Sequence, residues 1–166
     1  MADRRAFAQT ARERTVPWRR TAFLMCGDWA VAEDLVQVAL VRLYKHWHRI
    51  DLEGVDAYAR KVISRLAIDE ARRPHRRAEV LTSPPERASA PPGEDGFDVR
   101  SALDHLAPRQ RAVLVLRFYC DLSVSQTAST LKVSEGTVKS QSARGLDTLR
   151  SLLGESVVTT EGLKLR

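Results

Sequence analysis

The stretch SVSQTASTLKVSEGTVKSQSARGLDTLRSLL, residues 123–153, decides the fold of the C-terminal half of this sequence. Ser123 or Ser125 can cap a first helix that ends near Leu131, because a serine hydroxyl accepts a hydrogen bond from the free amides at a helix start. A tight turn follows at residues 132–134, and its last residue is again a serine that can cap a second, longer helix. Two helices joined by so short a turn are typical of a helix-turn-helix.

Small and apolar residues in this stretch recur where a helix-turn-helix buries its side chains. The set expected in the core is Ala128, Leu131, Val133, Val138, Leu146 and Leu149. The turn of this motif often carries glycine, so Lys132 must adopt a left-handed backbone at a small cost. A helical hairpin that merely packs is the alternative interpretation.

The second helix of the stretch, from residue 135 to about 152, has a polar N-terminal half. In a helix-turn-helix this helix enters the major groove. Arginine and lysine pair there with guanine, glutamine with adenine, and serine or threonine with either. The side chains offered for such contacts are Glu135, Thr137, Lys139, Ser140, Gln141 and Arg144. The helix therefore predicts a module that reads DNA.

The charge of the 166-residue chain, +6 in total, is divided into three blocks. Residues 1–77 carry a net charge of +6, residues 78–98 of −4, and residues 99–166 of +4. Five of the seven prolines lie in residues 74–98. Because proline lacks a backbone donor, this segment should form no packed element. The pattern predicts two basic modules joined by a flexible, acidic linker.

The first module, residues 1–73, shows helical periodicity and no strand-like alternation. One helix is expected to start near Pro17, since proline is tolerated at a first helical position. A second runs from about residue 30 to 47 behind the N-cap Asp28, and a third covers residues 56–73. The residues expected to face inward are Trp18, Ala22, Met25, Leu35, Ala39, Leu40, Leu43, Tyr44, Trp47, Tyr58, Val62, Ile63 and Leu66.

The third helix carries an excess of positive charge. Its basic residues are Arg60, Lys61, Arg65, Arg72 and Arg73, and only Asp69 and Glu70 offset them near its end. Such an excess is the electrostatic footprint expected for contact with phosphates. A solvated helix face explains it equally well, so both interpretations stay open at this point.

The second module opens with two further helices. Val99, Leu103 and Leu106 line a short helix, and Pro108 starts the next one. The sequence RQRAVLVLRFY then predicts a helix whose inward residues are Ala112, Val113, Leu116 and Tyr119. With these elements the whole chain is expected to be all-α.

Several classes of protein are excluded by composition. No apolar run approaches the roughly 20 residues of a membrane span, and the first residues lack a secretory signal. Two cysteines cannot staple a secreted scaffold, so we expect a cytoplasmic protein. No cysteine or histidine pair has zinc-site spacing, and no catalytic motif is present, which predicts no metal, no cofactor and no enzyme. A redox pair of Cys26 and Cys120 is a minor hypothesis, because it needs the two modules in contact.

Four segments together resemble a known family. They are AEDLVQVALVRLYKHW (32–47), AYARKVISRLAIDEARR (57–73), LDHLAPRQRAVLVLRFYCDLS (103–123) and SEGTVKSQSARGLDTLR (134–150). In this order, with an acidic linker between the halves, they resemble the extracytoplasmic function (ECF) RNA polymerase sigma factors of the sigma-70 family, and most of all its SigE-like actinobacterial branch.

The resemblance implies two small helical domains on a flexible linker. Residues 1–73 would be a region 2-like bundle that binds the polymerase clamp and recognises and melts the −10 element. Residues 74–98 would be the Pro-rich acidic linker, and residues 99–153 a region 4-like helix-turn-helix domain for the −35 element. A short tail, residues 154–166, would follow.

The resemblance also implies roles for individual residues. Polymerase binding, to the β′ clamp, would fall to Glu33, Asp34, Leu35, Gln37 and Arg42. Contacts with the −10 element would fall to Trp47, His48, Tyr58, Arg60, Lys61, Arg65 and Arg72. Contacts with the −35 element would fall to Ser134, Thr137, Lys139, Ser140, Gln141 and Arg144. The family usually has an acid directly after the glutamine of the clamp-binding helix, where this sequence has Val38.

The implied partners are core RNA polymerase, through its β′ clamp and β flap, promoter DNA and an anti-sigma factor, with no membrane insertion. Two other functions remain to be separated from this one. A helix-turn-helix regulator with a helical sensory domain would form homodimers on palindromic sites and need no polymerase. A protein that only sequesters a partner would need no promoter, and would leave the basic recognition helix unexplained.

Overall fold

The computed structural model describes residues 2–73, 94–154, 158–159 and 162–163. Its helices are α1 (Ala2–Cys26), α2 (Trp29–Lys45), α3 (Val55–Ala71), α4 (Glu94–Asp104), α5 (Pro108–Leu114), α6 (Val124–Leu131) and α7 (Glu135–Leu153). Short 3₁₀ turns at Trp47–Arg49 and Leu52–Gly54 join α2 to α3, and a π-helical turn at Val115–Tyr119 extends α5. A two-residue antiparallel pair, β1 (Val158–Thr159) and β2 (Gly162–Leu163), follows α7. The prediction of an all-α chain with two helical modules is confirmed.

The predicted linker lies only partly within the described residues. Residues 74–93 fall outside them, and α4 begins at Glu94, so the last five residues of the segment expected to be unstructured, 94–98, are helical. The second module is therefore longer at its start than the sequence indicated.

Helix α1 begins at Ala2, so the predicted start near Pro17 is wrong. Proline inside a helix removes one hydrogen bond and clashes with the preceding turn, yet this helix continues through it. Tertiary contacts stabilise the helical turns that precede Pro17. The ring of Phe7 meets the ring of Trp47 edge-on at 5.3 Å, and Arg14 forms an ion pair with Asp56 on α3.

Helix α2 starts where the sequence predicts. The Asp28 carboxylate accepts hydrogen bonds from the amides of Ala30 and Val31, at 2.8 and 3.1 Å. Gly27, just before the cap, takes a φ of +79°, a conformation that glycine adopts freely. The helix ends at Lys45, two residues early, and the expectation that Tyr44 faces inward is wrong, because 47% of it is exposed.

The helix-turn-helix has the predicted caps and turn. Ser123 and Gln126 form a reciprocal capping box at the start of α6, and the Ser134 hydroxyl accepts from the amide of Thr137 at the start of α7. Lys132 has a φ of +53°, as the turn requires. Val113, Ala128 and Val138 form the core between these helices, with Leu131 and Val133 packed beside them.

The two modules pack against each other. Trp18, Ala22, Ala39, Leu43 and Ile63 of α1–α3 form the main core. Ala112, Val115 and Leu116 of the second module are buried in that same core. The helices that carry the two predicted DNA-binding surfaces are thus parts of one packed body.

Arg111 of α5 links the modules by hydrogen bonds. Its guanidinium donates to the backbone carbonyl of Met25 at the end of α1 (3.1 Å) and to those of Asp104 and Leu106 (3.2 and 3.3 Å). Burial lowers the pKa of Arg111, while the nearby Asp104 carboxylate acts in the opposite direction. Beside it, Arg100 pairs with Asp104 at 2.8 Å.

Replacing Lys132 by glycine is expected to raise the free energy of unfolding by about 0.5–1 kcal/mol. A left-handed backbone costs an L-residue about 1–2 kcal/mol, and the greater freedom of glycine in the unfolded chain offsets part of the gain. Urea denaturation measures the change. The control Lys139→Gly makes the same replacement in regular helix and should lower stability by about 1 kcal/mol. A loss of stability in both variants would contradict the expectation.

Replacing Arg111 by methionine is expected to lower the free energy of unfolding by about 3 kcal/mol. The change leaves the carbonyls of Met25, Asp104 and Leu106 without their shared donor, and a buried acceptor without a partner costs about 1–3 kcal/mol. The control Arg20→Met, at an exposed position of α1, should change stability by no more than about 0.5 kcal/mol. Equal changes in the free energy of unfolding for the two substitutions would show that the hydrogen bonds of Arg111 do not stabilise the fold.

Candidate nucleic-acid interface

The N-terminal half of α7 presents several polar side chains to solvent, beginning with Glu135. Lys139, Ser140 and Arg144 are exposed. Ser140 donates to the carbonyl of Thr137 at 3.1 Å, which leaves its hydroxyl oxygen available as an acceptor. The described residues provide no ion pair to Lys139 or Arg144, so both cations are available to an anionic partner. Of the predicted −35 residues, these three and the N-cap residue Ser134 have the accessibility that base or phosphate contact requires.

Thr137 and Gln141 lie on another side of α7. Both are half-buried and face α3 of the first module. The sequence placed them on the exposed half of the recognition helix, together with the three exposed residues. The structure instead divides the predicted −35 residues between solvent and the contact with the first module.

The inter-module cleft lies between α3 and the helix-turn-helix and has a volume of about 180 Å³. Its lining residues are Arg65, Ile68, Asp69, Arg72, Arg109, Val113, Leu131, Val133, Thr137 and Gln141. Residues predicted for −10 contact (Arg65, Arg72) and for −35 contact (Thr137, Gln141) therefore line the same cleft. Sequence reasoning missed Arg109, which has no distinguishing signal beyond its charge.

The remaining predicted −10 residues have different environments. His48 is exposed, and Tyr58, Arg60 and Lys61 are half-buried. The Tyr58 hydroxyl lies 3.3 Å from Nδ1 of His46. Only 8% of Trp47 is exposed, because Phe7 covers it, so this indole supports the module rather than offering a surface to a base.

The exposed face of α2 combines charged and apolar side chains. Asp34, Gln37 and Arg42 are exposed, as predicted. Glu33 is held by an ion pair with Arg19, at 2.6 Å, and accepts a hydrogen bond from Gln37, at 3.0 Å.

Two apolar residues extend the same face of α2. Val38 and Val41 are 38% and 56% exposed, whereas Leu35, predicted as a contact residue, is buried in the core. Leu35 cannot contact a partner unless α2 separates from the core of the first module. Val41 lies outside the apolar stripe of α2. An apolar residue at such a position is the signal from which the sequence could have predicted an exposed contact residue.

Cys26 and Cys120 are not joined by a disulfide. Burial raises the pKa of the Cys120 thiol, and a contact with the Thr21 hydroxyl at 3.8 Å acts against this. Since the thiolate is the reactive form, a raised pKa disfavours a redox role for Cys120. Within the described ranges, no group of three or more His, Cys, Asp or Glu side chains could hold a metal ion. Nor does any described helix have the length and apolar character that crossing a membrane requires.

Comparison with known families assigns both modules. The model of Sigma-70 region 2 matches residues 13–77, and that of Sigma-70, region 4 matches residues 102–151. The chain is 35% identical over 155 residues to the RNA polymerase sigma-E factor of Streptomyces coelicolor, an alignment that covers 89% of this chain and 85% of that protein. The chain belongs to the sigma-70 family.

Other relatives of this sigma factor specify the group. It is 34% identical over 155 residues to the ECF RNA polymerase sigma factor SigL of Mycobacterium tuberculosis, covering 87% of this chain and 86% of that protein. The resemblance to ECF sigma factors stated from the sequence is thereby confirmed.

A solved structure has the same fold. It is the co-crystal structure of the sigma factor RpoE in complex with the anti-sigma factor NepR from Bartonella quintana. The TM-score is 0.67 at 21% identity, and the match covers 89% of this chain and 96% of that one.

Alkylation of Cys120 by iodoacetamide at pH 8 is expected to be at least tenfold slower in the folded protein than in urea. Its pKa is raised and its sulfur is covered, so little thiolate is available. A Cys26→Ser background isolates the reaction, and mass spectrometry measures it. The same pKa shift destabilises the fold as pH rises above the ordinary thiol value of about 8.5, because the unfolded chain then ionises first. Equal rates of Cys120 alkylation in the folded protein and in urea would contradict the expected protection.

Proposed function

We propose that this ECF sigma factor binds core RNA polymerase, directs it to promoters through −10 and −35 contacts, and promotes melting of the DNA. The observation that carries the proposal is the recognition helix α7, whose Lys139, Ser140 and Arg144 are exposed within a region 4 module. The same chain carries a region 2 module with a basic third helix. A chain with this function selects the site at which the polymerase reacts and catalyses nothing itself.

The −35 element would be read as a duplex by α7. Arg144 and Lys139 can pair with guanine edges, and Ser140 with either base type. Ser134 and Thr137, at the N-terminus of the helix, suit contact with phosphates, since helix N-termini attract anions. Gln141 completes the −35 set. Gln141 and Thr137 are half-buried beside α3, and they become fully accessible when the second module moves away from that helix.

The −10 element would be opened by the first module. Unstacking a base costs a few kcal/mol, which contacts to the displaced strand must offset. Lys61, Arg60, Arg65 and Arg72 on α3 supply cations along one helix. His48 and Tyr58 lie near the loop before this helix and suit stacking with an unpaired base, while Trp47 supports them from the core.

Polymerase binding would use the exposed face of α2. Asp34, Gln37 and Arg42 offer charge-assisted contacts to the β′ clamp, and Glu33 holds Gln37 in place. Val38 and Val41 add an apolar strip beside them, so apolar contact replaces the acid usual at position 38. The second module would bind the β flap.

The proposed domains are those expected from the sequence: residues 1–73, the linker 74–98, residues 99–153 and the tail 154–166, with α4 already begun inside the linker. An anti-sigma factor is a further proposed partner, because the structural neighbour RpoE was crystallised with one. Since polymerase and promoter DNA lie in the bacterial cytoplasm, the protein would act there.

In vitro transcription tests the proposal. Purified protein is added to sigma-free core polymerase on its own upstream DNA and on a pool of genomic promoters. Transcripts that depend on the added protein are expected. If none form, and the protein alone shifts a palindromic duplex, the chain is a regulator that needs no polymerase.

Replacing Arg144 by alanine is expected to reduce transcription from a −35-dependent promoter about 5- to 150-fold, the equivalent of one bidentate base contact at about 1–3 kcal/mol. Binding to core polymerase should be unchanged, because Arg144 is not among the residues proposed to contact polymerase. The matched control is Arg150→Ala, whose side chain pairs with Asp147 at 3.2 Å near the other end of α7. Equal activity of wild-type protein on natural and scrambled −35 DNA would overturn the assignment.

A further inference from the structure

The inter-module cleft brings unpaired positive charges together. Arg65 lines it from α3, Arg72 from the C-cap position that follows α3, and Arg109 from α5. Asp69 is the acidic residue of the lining, which gives the cleft a net charge of +2. Among the described residues, none of these four side chains forms an ion pair.

Two buried polar atoms of the same lining have no hydrogen-bond partner among the described residues. They are Nη2 of Arg65, a donor, and the side-chain carbonyl oxygen of Gln141, an acceptor. One belongs to the first module and the other to the second. A buried polar atom without a partner costs about 1–3 kcal/mol, and more when it is charged. The cost falls if a ligand fills the cleft.

We propose that the cleft between the two modules binds a small phosphate monoester and that this ligand holds the modules together. The dianionic group, with a second pKa of about 6, matches the net charge of the lining at neutral pH. Guanidinium groups bind phosphate with paired, charge-assisted hydrogen bonds. The three arginines, which repel one another when the modules close, then share one counter-ion.

The remaining part of the cleft defines the rest of the ligand. The carbonyl oxygen of Gln141 requires an O–H or N–H donor, and because the dianionic phosphoryl group of a monoester has no O–H, that donor must come from the ester group. Ile68, Val113, Leu131 and Val133 give the cleft an apolar wall. The volume of about 180 Å³ corresponds to about six waters, which is enough for a phosphate and part of its ester group. A nucleoside monophosphate has this chemistry.

A consequence for DNA binding rests on the proposed function. Arg65, Thr137 and Gln141 are half-buried in the cleft of the packed, closed form, and all three are proposed to contact DNA in an open form. A ligand that binds only the closed form must therefore weaken promoter binding, and promoter DNA must weaken ligand binding by the same factor.

Isothermal titration calorimetry on the full chain tests the site. The probes are adenosine and guanosine 5′-monophosphate, with inorganic phosphate and sodium sulfate at equal ionic strength. A monophosphate should bind at least tenfold more tightly than phosphate or sulfate. Equal binding of all probes would reduce the site to an adventitious ion only, and no binding of any probe would refute it.

Two substitutions outside the proposed DNA-binding set give opposite expectations. Arg109→Gln should weaken binding of the tighter monophosphate about tenfold, because it removes one charge-assisted contact. Asp69→Asn should strengthen it several-fold, because it removes the one negative charge. Arg20→Gln, on the exposed surface of α1, is the matched control and should change nothing. The same affinity for the monophosphate in all three variants would show that the ligand binds outside the cleft.

The failure of this inference is distinguishable from that of the proposed function. In fluorescence anisotropy with promoter DNA and core polymerase, the monophosphate should weaken complex formation by wild-type protein and less so with Arg109→Gln. Active transcription without any ligand effect leaves the sigma function standing and overturns the ligand. Ligand binding by a protein that supports no transcription leaves the ligand site standing and overturns the proposed sigma function.

Discussion

The buried guanidinium of Arg111 is the contact on which the relative placement of the helices depends. It donates to carbonyls at the C-terminal ends of α1 and α4, which carry partial negative charge and have no partner in their own helices. One side chain thereby satisfies two helix ends from different modules. With α1 and α4 fixed in this way, the adjoining residues of α5 are carried into the core of the first module. The packed body and the cleft both follow from that insertion.

Local chemistry predicted most of the fold, because its signals act within a few residues. Asp28, Pro108 and Ser134 each determine a helix start through a side chain or a missing donor. The same reasoning misplaced the start of α1, since Pro17 carries that signal but distant contacts of Phe7 and Arg14 outweigh it. The π-helical turn after α5 had no local signal that we recognise.

The candidate site was predictable only in part, for a related reason. Periodicity tells which face of a helix meets its own module, and so it identified Lys139 and Arg144 as exposed. It carries no information about a second module arriving on the opposite side. Gln141 and Arg65, which line the cleft from different modules, were therefore assigned from pattern to surfaces that the packed body partly covers. For Trp47 and Leu35 the error has another source. The family resemblance assigned them to contact surfaces, but both side chains are buried in the core of their own module.

Gly27 lies at a contact between the two modules. Any side chain at this position would meet the guanidinium of Arg100, which itself lies over the ring of Phe23, at 5.0 Å, with Trp29 stacked behind. The positive φ makes a substituent unwelcome even without that neighbour. An added methyl group would therefore displace the flexible end of Arg100, and with it the contact of Arg100 with Asp104, without altering any residue proposed to touch DNA or polymerase. One small substitution between the modules thus perturbs their contact while every proposed recognition residue stays in place.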